Sequence, residues 1–80
     1  MTALYVLDVP ENTTVAKVAA EAGAAVGKVG PYFEITADES IVVDRRATGC
    51  RHAVWYSCVA GVAGGRIVQH DKDALRVDPA

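Results

Sequence analysis

Two cysteines and two histidines in the second half of the 80-residue chain are the side chains best suited to bind a metal ion. Cys50, His52 and Cys58 lie in one apolar segment, and His70 follows the next turn. If that segment is a straight strand, Cys50 and Cys58 lie about 26 Å apart, at about 3.3 Å per residue. One zinc ion cannot bind both thiolates at that separation, and a disulfide would require the strand to fold back. The spacing therefore predicts free thiols that pack as small hydrophobic groups, and no metal site.

Other polar side chains suited to ligand binding are scattered along the chain. They are Glu34, Asp44, Arg46, His52 and His70. The two histidines can meet across neighbouring strands, but a general base needs a positioned partner and a pocket, and the sequence specifies neither. No nucleophile elbow, phosphate-binding loop, dinucleotide fingerprint or metalloprotease motif occurs. We therefore assign no catalytic residue and no cofactor. These five residues remain candidates for an alternative function, a small-molecule binder or small enzyme with a pocket between helix and sheet.

Composition limits the classes of partner. The net charge is −2 and the eight basic residues are spread out, whereas phosphate backbones require clustered Lys and Arg. No apolar run approaches the roughly 20 residues of a membrane span, and no signal peptide is visible. We expect one soluble, cytoplasmic domain over residues 1–80, with no nucleic acid or membrane partner. Small domains have thin cores and often gain stability from a partner subunit.

The elements that must position these residues follow from the spacing of apolar side chains. Residues 3–9 predict a strand that ends at Pro10, and a helical stripe predicts a helix over about residues 13–27. Beyond Pro31 the apolar period is two, which predicts further strands at 32–36, 41–43, 50–62 and 66–69, with residues 74–77 as an optional sixth strand. The first two of these read as a hairpin. We therefore predict an α+β fold in β-α-β-β-β-β order, with one helix on one face of a four- to five-stranded antiparallel meander.

The predicted strand at 50–62 is apolar on both faces. One helix can cover only one face of a small sheet, so the second face requires cover from outside the domain. Trp55 and Tyr56 are consecutive and would point to opposite faces, so one belongs to the core and the other to an interface. We therefore expect a non-catalytic interaction domain, either a homodimer or an accessory, regulatory subunit of a larger enzyme complex. The expected contact is an open sheet face around Tyr32, Val42, Val54 and Tyr56, or the alternative face of Trp55.

The segment from Thr14 to Gly23, continuing to Val26 and Val29, resembles the helix-turn-helix of LacI-type repressors. In that family a Val-Ala-x-x-Ala-Gly core precedes the recognition helix, so the resemblance implies DNA binding. Here the recognition helix would have to pass through Gly27, Gly30 and Pro31, which interrupt helices. It would offer only Lys28 to phosphates, so DNA binding is the least favoured function.

A second resemblance covers residues 30–35 continuing to Arg45, together with residues 64–67 and 73–75. These segments are similar to the small coupling proteins of multicomponent di-iron monooxygenases. Members of that family are cofactor-free regulators that dock on a larger hydroxylase, so the resemblance implies a protein partner. The family has a second helix between the two segments, and the sequence pattern predicts none here.

Overall fold

The computed structural model describes residues 1–80 and contains seven strands and three short α-helices. The elements are β1 (Thr2–Leu7), α1 (Thr13–Glu21), β2 (Ala25–Val29), β3 (Tyr32–Ala37), β4 (Ile41–Asp44), α2 (Arg45–Thr48), α3 (His52–Ser57), β5 (Val59–Ala63), β6 (Gly65–His70) and β7 (Ala74–Pro79). A 3₁₀ turn at Pro10–Asn12 precedes α1. The predicted α+β class, with antiparallel strands and a helix packed on a sheet, is confirmed.

The strands form two sheets instead of one meander. The four-stranded sheet has the order β2-β3-β1-β5, and the three-stranded sheet has the order β4-β7-β6. The predicted hairpin of β3 and β4 is therefore wrong, because the short segment between them carries the chain from one sheet to the other. Gly64, with φ of 66°, makes the same kind of transfer between β5 and β6. Apolar residues alternate in the same way whether the next strand joins the same sheet or the other sheet. The sequence pattern therefore cannot distinguish these two connections from hairpins.

The core lies between the inner faces of the two sheets and the apolar side of α1. It consists of Leu4, Val6, Val15, Ala16, Ala19, Phe33, Ile35, Ile41, Val43, Trp55, Cys58, Leu75 and Val77. Each sheet contributes alternate residues of its strands, as expected when one face of a strand is buried. Helix α1 contributes a stripe of three small side chains, which lets it lie close to the strands.

Helix α1 ends at Glu21, six residues earlier than predicted. Gly23 adopts φ of 107°, and the Ala24 N–H donates to the carbonyl of Ala19 at 3.1 Å, which closes the last turn. The chain then forms β2, where Val26 pairs with Ile35 of β3. The run of alanines up to residue 25 continues the helical spacing, but strand pairing stabilises residues 25–29 instead.

The predicted straight strand at 50–62 is also wrong. Residues 52–57 form α3, and only residues 59–63 form a strand. Trp55 and Cys58, three residues apart, are both buried, which is the spacing of one helical face. A helical pattern interpreted with a period of two distributes its apolar residues over both faces of a strand, which explains the apparent second apolar face of this segment. Helices α2 and α3 thus lie between residues 45 and 57, where the sequence pattern predicted no helix.

Both thiols are free. Burial, with a smaller contribution from nearby Cys50, raises the pKa of the Cys58 thiol to about 11. Cys50 is half-buried, and its Sγ lies 3.8 Å from the carbonyl oxygen of Glu11. Cys58 therefore stays protonated and packs as a small hydrophobic side chain at neutral pH.

Asp78 of β7 is hydrogen-bonded to the residue before β4, and its carboxylate should make the stability of the fold depend on pH. Its Oδ1 accepts hydrogen bonds from the Ser40 hydroxyl and the Arg76 Nε, both at 2.7 Å. These bonds lower the pKa of Asp78 below its usual value of 3.8. Because the pKa is lowered in the folded state, this stabilisation is present above about pH 4 and is lost as the pH falls further.

We expect Asp78→Asn to lower the unfolding midpoint at pH 7 and to lose less additional stability than the wild type between pH 5 and pH 3. Thermal unfolding followed by circular dichroism at several pH values measures both effects. Asp38→Asn, at an exposed position in the turn after β3, is the control. An equal loss between pH 5 and pH 3 in wild type and Asp78→Asn would contradict this role for Asp78.

Candidate functional site

The outer face of the four-stranded sheet is not covered by any helix. Strand register assigns to it Ala3, Tyr5, Leu7, Ala25, Gly27, Val29, Tyr32, Glu34, Thr36, Gly61 and Ala63. The alternate residues of the same strands, such as Leu4 and Ile35, point into the core. Among the residues of the outer face only Ala3 is buried. We call this surface the open face.

One end of the open face is apolar. Leu7, Tyr32 and Val29 lie side by side on β1, β3 and β2. The side chains of Leu7 and Val29 are 42% and 49% exposed, and Tyr32 is half-buried. An apolar row that includes a tyrosine is consistent with the central part of a protein interface, which is more apolar than the rim and enriched in aromatic residues.

The middle of the open face carries one hydrogen-bonded pair. The Tyr5 hydroxyl donates to Oε2 of Glu34 at 2.8 Å, and this bond together with the carboxylate charge raises the pKa of Tyr5. The neighbouring positions in the same row are Gly27 on β2 and Gly61 on β5. Because glycines flank the pair, another molecule can approach it closely.

The far end of the open face leads to a shallow hollow of about 270 Å³. It is lined by Met1, Gly23, Ala25, Thr36, Ala37 and Asp38. The hollow is at the rim of the sheet and not between α1 and a sheet, where the core side chains pack together. The pocket between helix and sheet that the alternative function requires is therefore not formed.

The predicted interface residues do not share one surface. Tyr32 lies on the open face, whereas Val42 is on the outer face of the three-stranded sheet, paired with Arg76. Val54 and Tyr56 lie on α3. Trp55 is fully buried and offers no surface to a partner. Of the two consecutive aromatic residues, Trp55 belongs to the core and Tyr56 is exposed.

The predicted ligand-binding residues are separated in the same way. Glu34 lies on the open face, and Asp44 caps α2, where its Oδ1 accepts from the Arg46 N–H at 3.1 Å. The Arg46 side chain is exposed at that helix. His52 and His70 lie on either side of Tyr56, with ring centroids 4.7 and 5.2 Å from the tyrosine ring. Each histidine thus contacts the Tyr56 ring, which links the two.

His70 has a structural contact of its own. Its Nε2 lies 3.1 Å from the carbonyl oxygen of Trp55, and its ring packs edge-on against the indole at 5.5 Å. Nowhere in the chain do three His, Cys, Asp or Glu side chains come together as a metal site would require. None of the helices has the length and apolar character needed to cross a membrane.

Only Tyr32 and Glu34 of the open face were identified from the sequence, and the residues missed include Tyr5, Leu7, Gly27 and Val29. Gly27 was missed because it lies within the predicted helix at 13–27, and Val29 was missed because residues 28–29 were not assigned to any strand. Tyr5 and Leu7 had a usable signal, since residues 3–7 are apolar at every position. A strand that is apolar on both faces is typical of the centre of a sheet, and β1 does lie between β3 and β5.

Comparison with known proteins supports the fold. No protein-family model matches the sequence, and no curated protein matches it significantly. Among solved structures, the chain is similar to one in the complex of phenol hydroxylase with its regulatory protein, with a TM-score of 0.78. The match covers 99% of this chain and 98% of that chain at 16% sequence identity. The two chains thus share an α+β fold over nearly their entire lengths.

Proposed function

We propose that this protein is a non-catalytic accessory subunit that docks on a larger hydroxylase and regulates it. The observation that carries the proposal is the match in fold, end to end, with a chain of the phenol hydroxylase–regulatory protein complex. The sequence resemblance to coupling proteins of di-iron monooxygenases points to the same class. The presence of α2 and α3 removes the one departure from that family that the sequence pattern had indicated.

We propose the open face as the docking surface. It combines exposed aliphatic side chains at Leu7 and Val29 with the two tyrosines, Tyr5 and Tyr32. Sheets in small domains normally have one face packed on the core and the other solvated and polar. This outer face has a single charged side chain, Glu34, so contact with another protein would remove mostly uncharged surface from water.

The test is a binding and turnover measurement with the hydroxylase of a multicomponent monooxygenase from the same organism. We expect the two proteins to sediment together and the chain to change the rate of substrate oxidation by the hydroxylase. The chain alone should oxidise nothing. Absence of a complex at concentrations well above micromolar would contradict the proposal, and self-association of the chain through the same face would favour the homodimer instead.

Substitution of Gly27 by phenylalanine should separate docking from folding. No atom lies within 4 Å of a Cβ built at Gly27, so the fold accepts a side chain there. The added ring would stand on the open face next to Glu34, and we expect it to weaken hydroxylase binding at least about tenfold, or 1.4 kcal/mol. Sedimentation velocity measures the dissociation constant, and circular dichroism checks that the variant is folded.

Val42→Phe is the matched control, because it places the same ring on the outer face of the three-stranded sheet, at a position already exposed. Its binding should equal that of the wild type. Weaker binding by Val42→Phe with unchanged binding by Gly27→Phe would assign docking to the other sheet.

A further inference from the structure

We propose that the partner surface that covers the open face carries an arginine whose guanidinium binds Glu34. The inference rests on the proposed function and specifies the chemistry of the partner at its docking site. It follows from the charge, the burial and the hydrogen bonds of Glu34, together with the residues that surround it.

Glu34 is the only charged side chain on the open face, and it is half-buried. Its Oε2 accepts the Tyr5 hydroxyl at 2.8 Å, and no other group of the chain donates to the carboxylate. The ion pairs of the chain join Lys28 to Asp8, Lys72 to Asp73 and Arg76 to Asp78, so none involves Glu34. The remaining acceptor positions of the carboxylate therefore have no donor within the chain and are left to the solvent.

A partner that covers the open face removes this water. A neutral tyrosine hydroxyl offers one hydrogen bond and no charge, so a purely apolar partner would leave a buried and unpaired carboxylate. Complementarity therefore requires a positive group opposite Glu34. The partner surface must also be apolar around this positive group, because the row of Leu7, Tyr32 and Val29 lies next to Tyr5 and Glu34.

The surroundings of Glu34 favour arginine over lysine. Gly27 lies beside Glu34 in the same row and Gly61 lies beside Tyr5, so neither outer neighbour of the pair has a side chain that could cover it. A planar guanidinium can donate to the free oxygen and stack on a tyrosine ring at the same time, whereas an ammonium is a strongly hydrated point charge. Tyr5, in the same row as Glu34, and Tyr32, in the next row, supply such rings.

The free protein provides the first test. Amide chemical shifts of ¹⁵N-labelled chain are followed during titration with N-acetyl-arginine amide and with its neutral isostere, N-acetyl-citrulline amide. We expect saturable shifts in β1 and β3 around Tyr5 and Glu34 with the arginine probe alone, and their loss in Glu34→Gln. Glu11→Gln, at an exposed position outside the open face, should keep them. Equal shifts with both probes, or no shifts at these residues, would overturn the inference.

The complex provides the second test. Glu34→Gln leaves the partner's guanidinium unpaired, so we expect at least about thirtyfold weaker hydroxylase binding, compared with unchanged binding by Glu11→Gln. If Glu34→Gln binds as tightly as the wild type, the arginine contact is wrong and the accessory role stands. If the wild type itself forms no complex, the proposed function fails, and the titration of the free chain still decides whether Glu34 binds a guanidinium.

Discussion

Trp55→Ala is expected to destabilise the protein by about 3–5 kcal/mol, the range observed when buried aromatic residues are removed. Trp55 is fully buried, and its indole N–H donates to the carbonyl oxygen of Asp71 at 2.6 Å. The variant loses this packing and leaves both a cavity and a carbonyl without its donor. Because the free energy of unfolding of a protein is only about 5–15 kcal/mol, the change removes much of the total stability.

Urea unfolding followed by far-ultraviolet circular dichroism measures this loss, since the substitution removes the only tryptophan of the chain. Tyr56→Ala is the matched control, because the neighbouring aromatic side chain is 40% exposed. It should cost about 1 kcal/mol or less. Similar losses for the two variants would mean that both aromatic residues lie in the core, contrary to the helical arrangement of residues 52–57.

Gly65→Ala is expected to destabilise the protein by about 1–3 kcal/mol, because the position has no room for a methyl group. A Cβ at Gly65 would lie 2.6 Å from the carbonyl oxygen of Asp78 and 2.8 Å from Cγ2 of Thr2. The first of these atoms belongs to the backbone of β7 and cannot move without disturbing strand pairing. Gly65 thus marks the place where β6 begins in the three-stranded sheet and touches β1 of the other sheet.

Gly61→Ala serves as the control for the loss of backbone freedom, since no atom lies within 4 Å of a Cβ built there. This variant should be as stable as the wild type, within about 0.5 kcal/mol. Thermal unfolding of the two variants at one pH gives the comparison. Equal stability of Gly65→Ala and Gly61→Ala would show that the two sheets are less closely joined at Gly65 than the structure indicates.

Much of the secondary structure followed from local pattern, and the errors have a common cause. The alternation of residues 32–36, 41–43 and 74–77 correctly predicted strands that bury one face, and residues 66–69 were also correctly predicted as a strand although none of them is buried. The helix was placed correctly at its start, after the turn at Pro10–Asn12. The alanine-rich residues 22–27 continue the helical spacing of α1, and residues 52–57 were interpreted with a period of two. Pattern alone therefore assigned α3 and residues 25–27 of β2 to the wrong class.

The candidate site was only partly accessible from the sequence. Tyr32 and Glu34 were identified as candidates for contact and for ligand binding, and both lie on the open face. Their partners on that face, Tyr5 and Gly27, are distant in the sequence and come together only through strand pairing. Val42 and Tyr56 were grouped with Tyr32 because one continuous sheet was assumed.

The sequence by itself determined which residues are buried along most strands, the start of the helix and the absence of a catalytic motif. Only the tertiary structure decided that the strands divide into two sheets, that Trp55 and not Tyr56 is core, and that the face with Tyr5 and Glu34 stays open. The physical reason is that hydrophobic burial has no direction. The alternation of apolar residues indicates which side chains are buried. Which residues they contact in the core depends on how the whole chain packs.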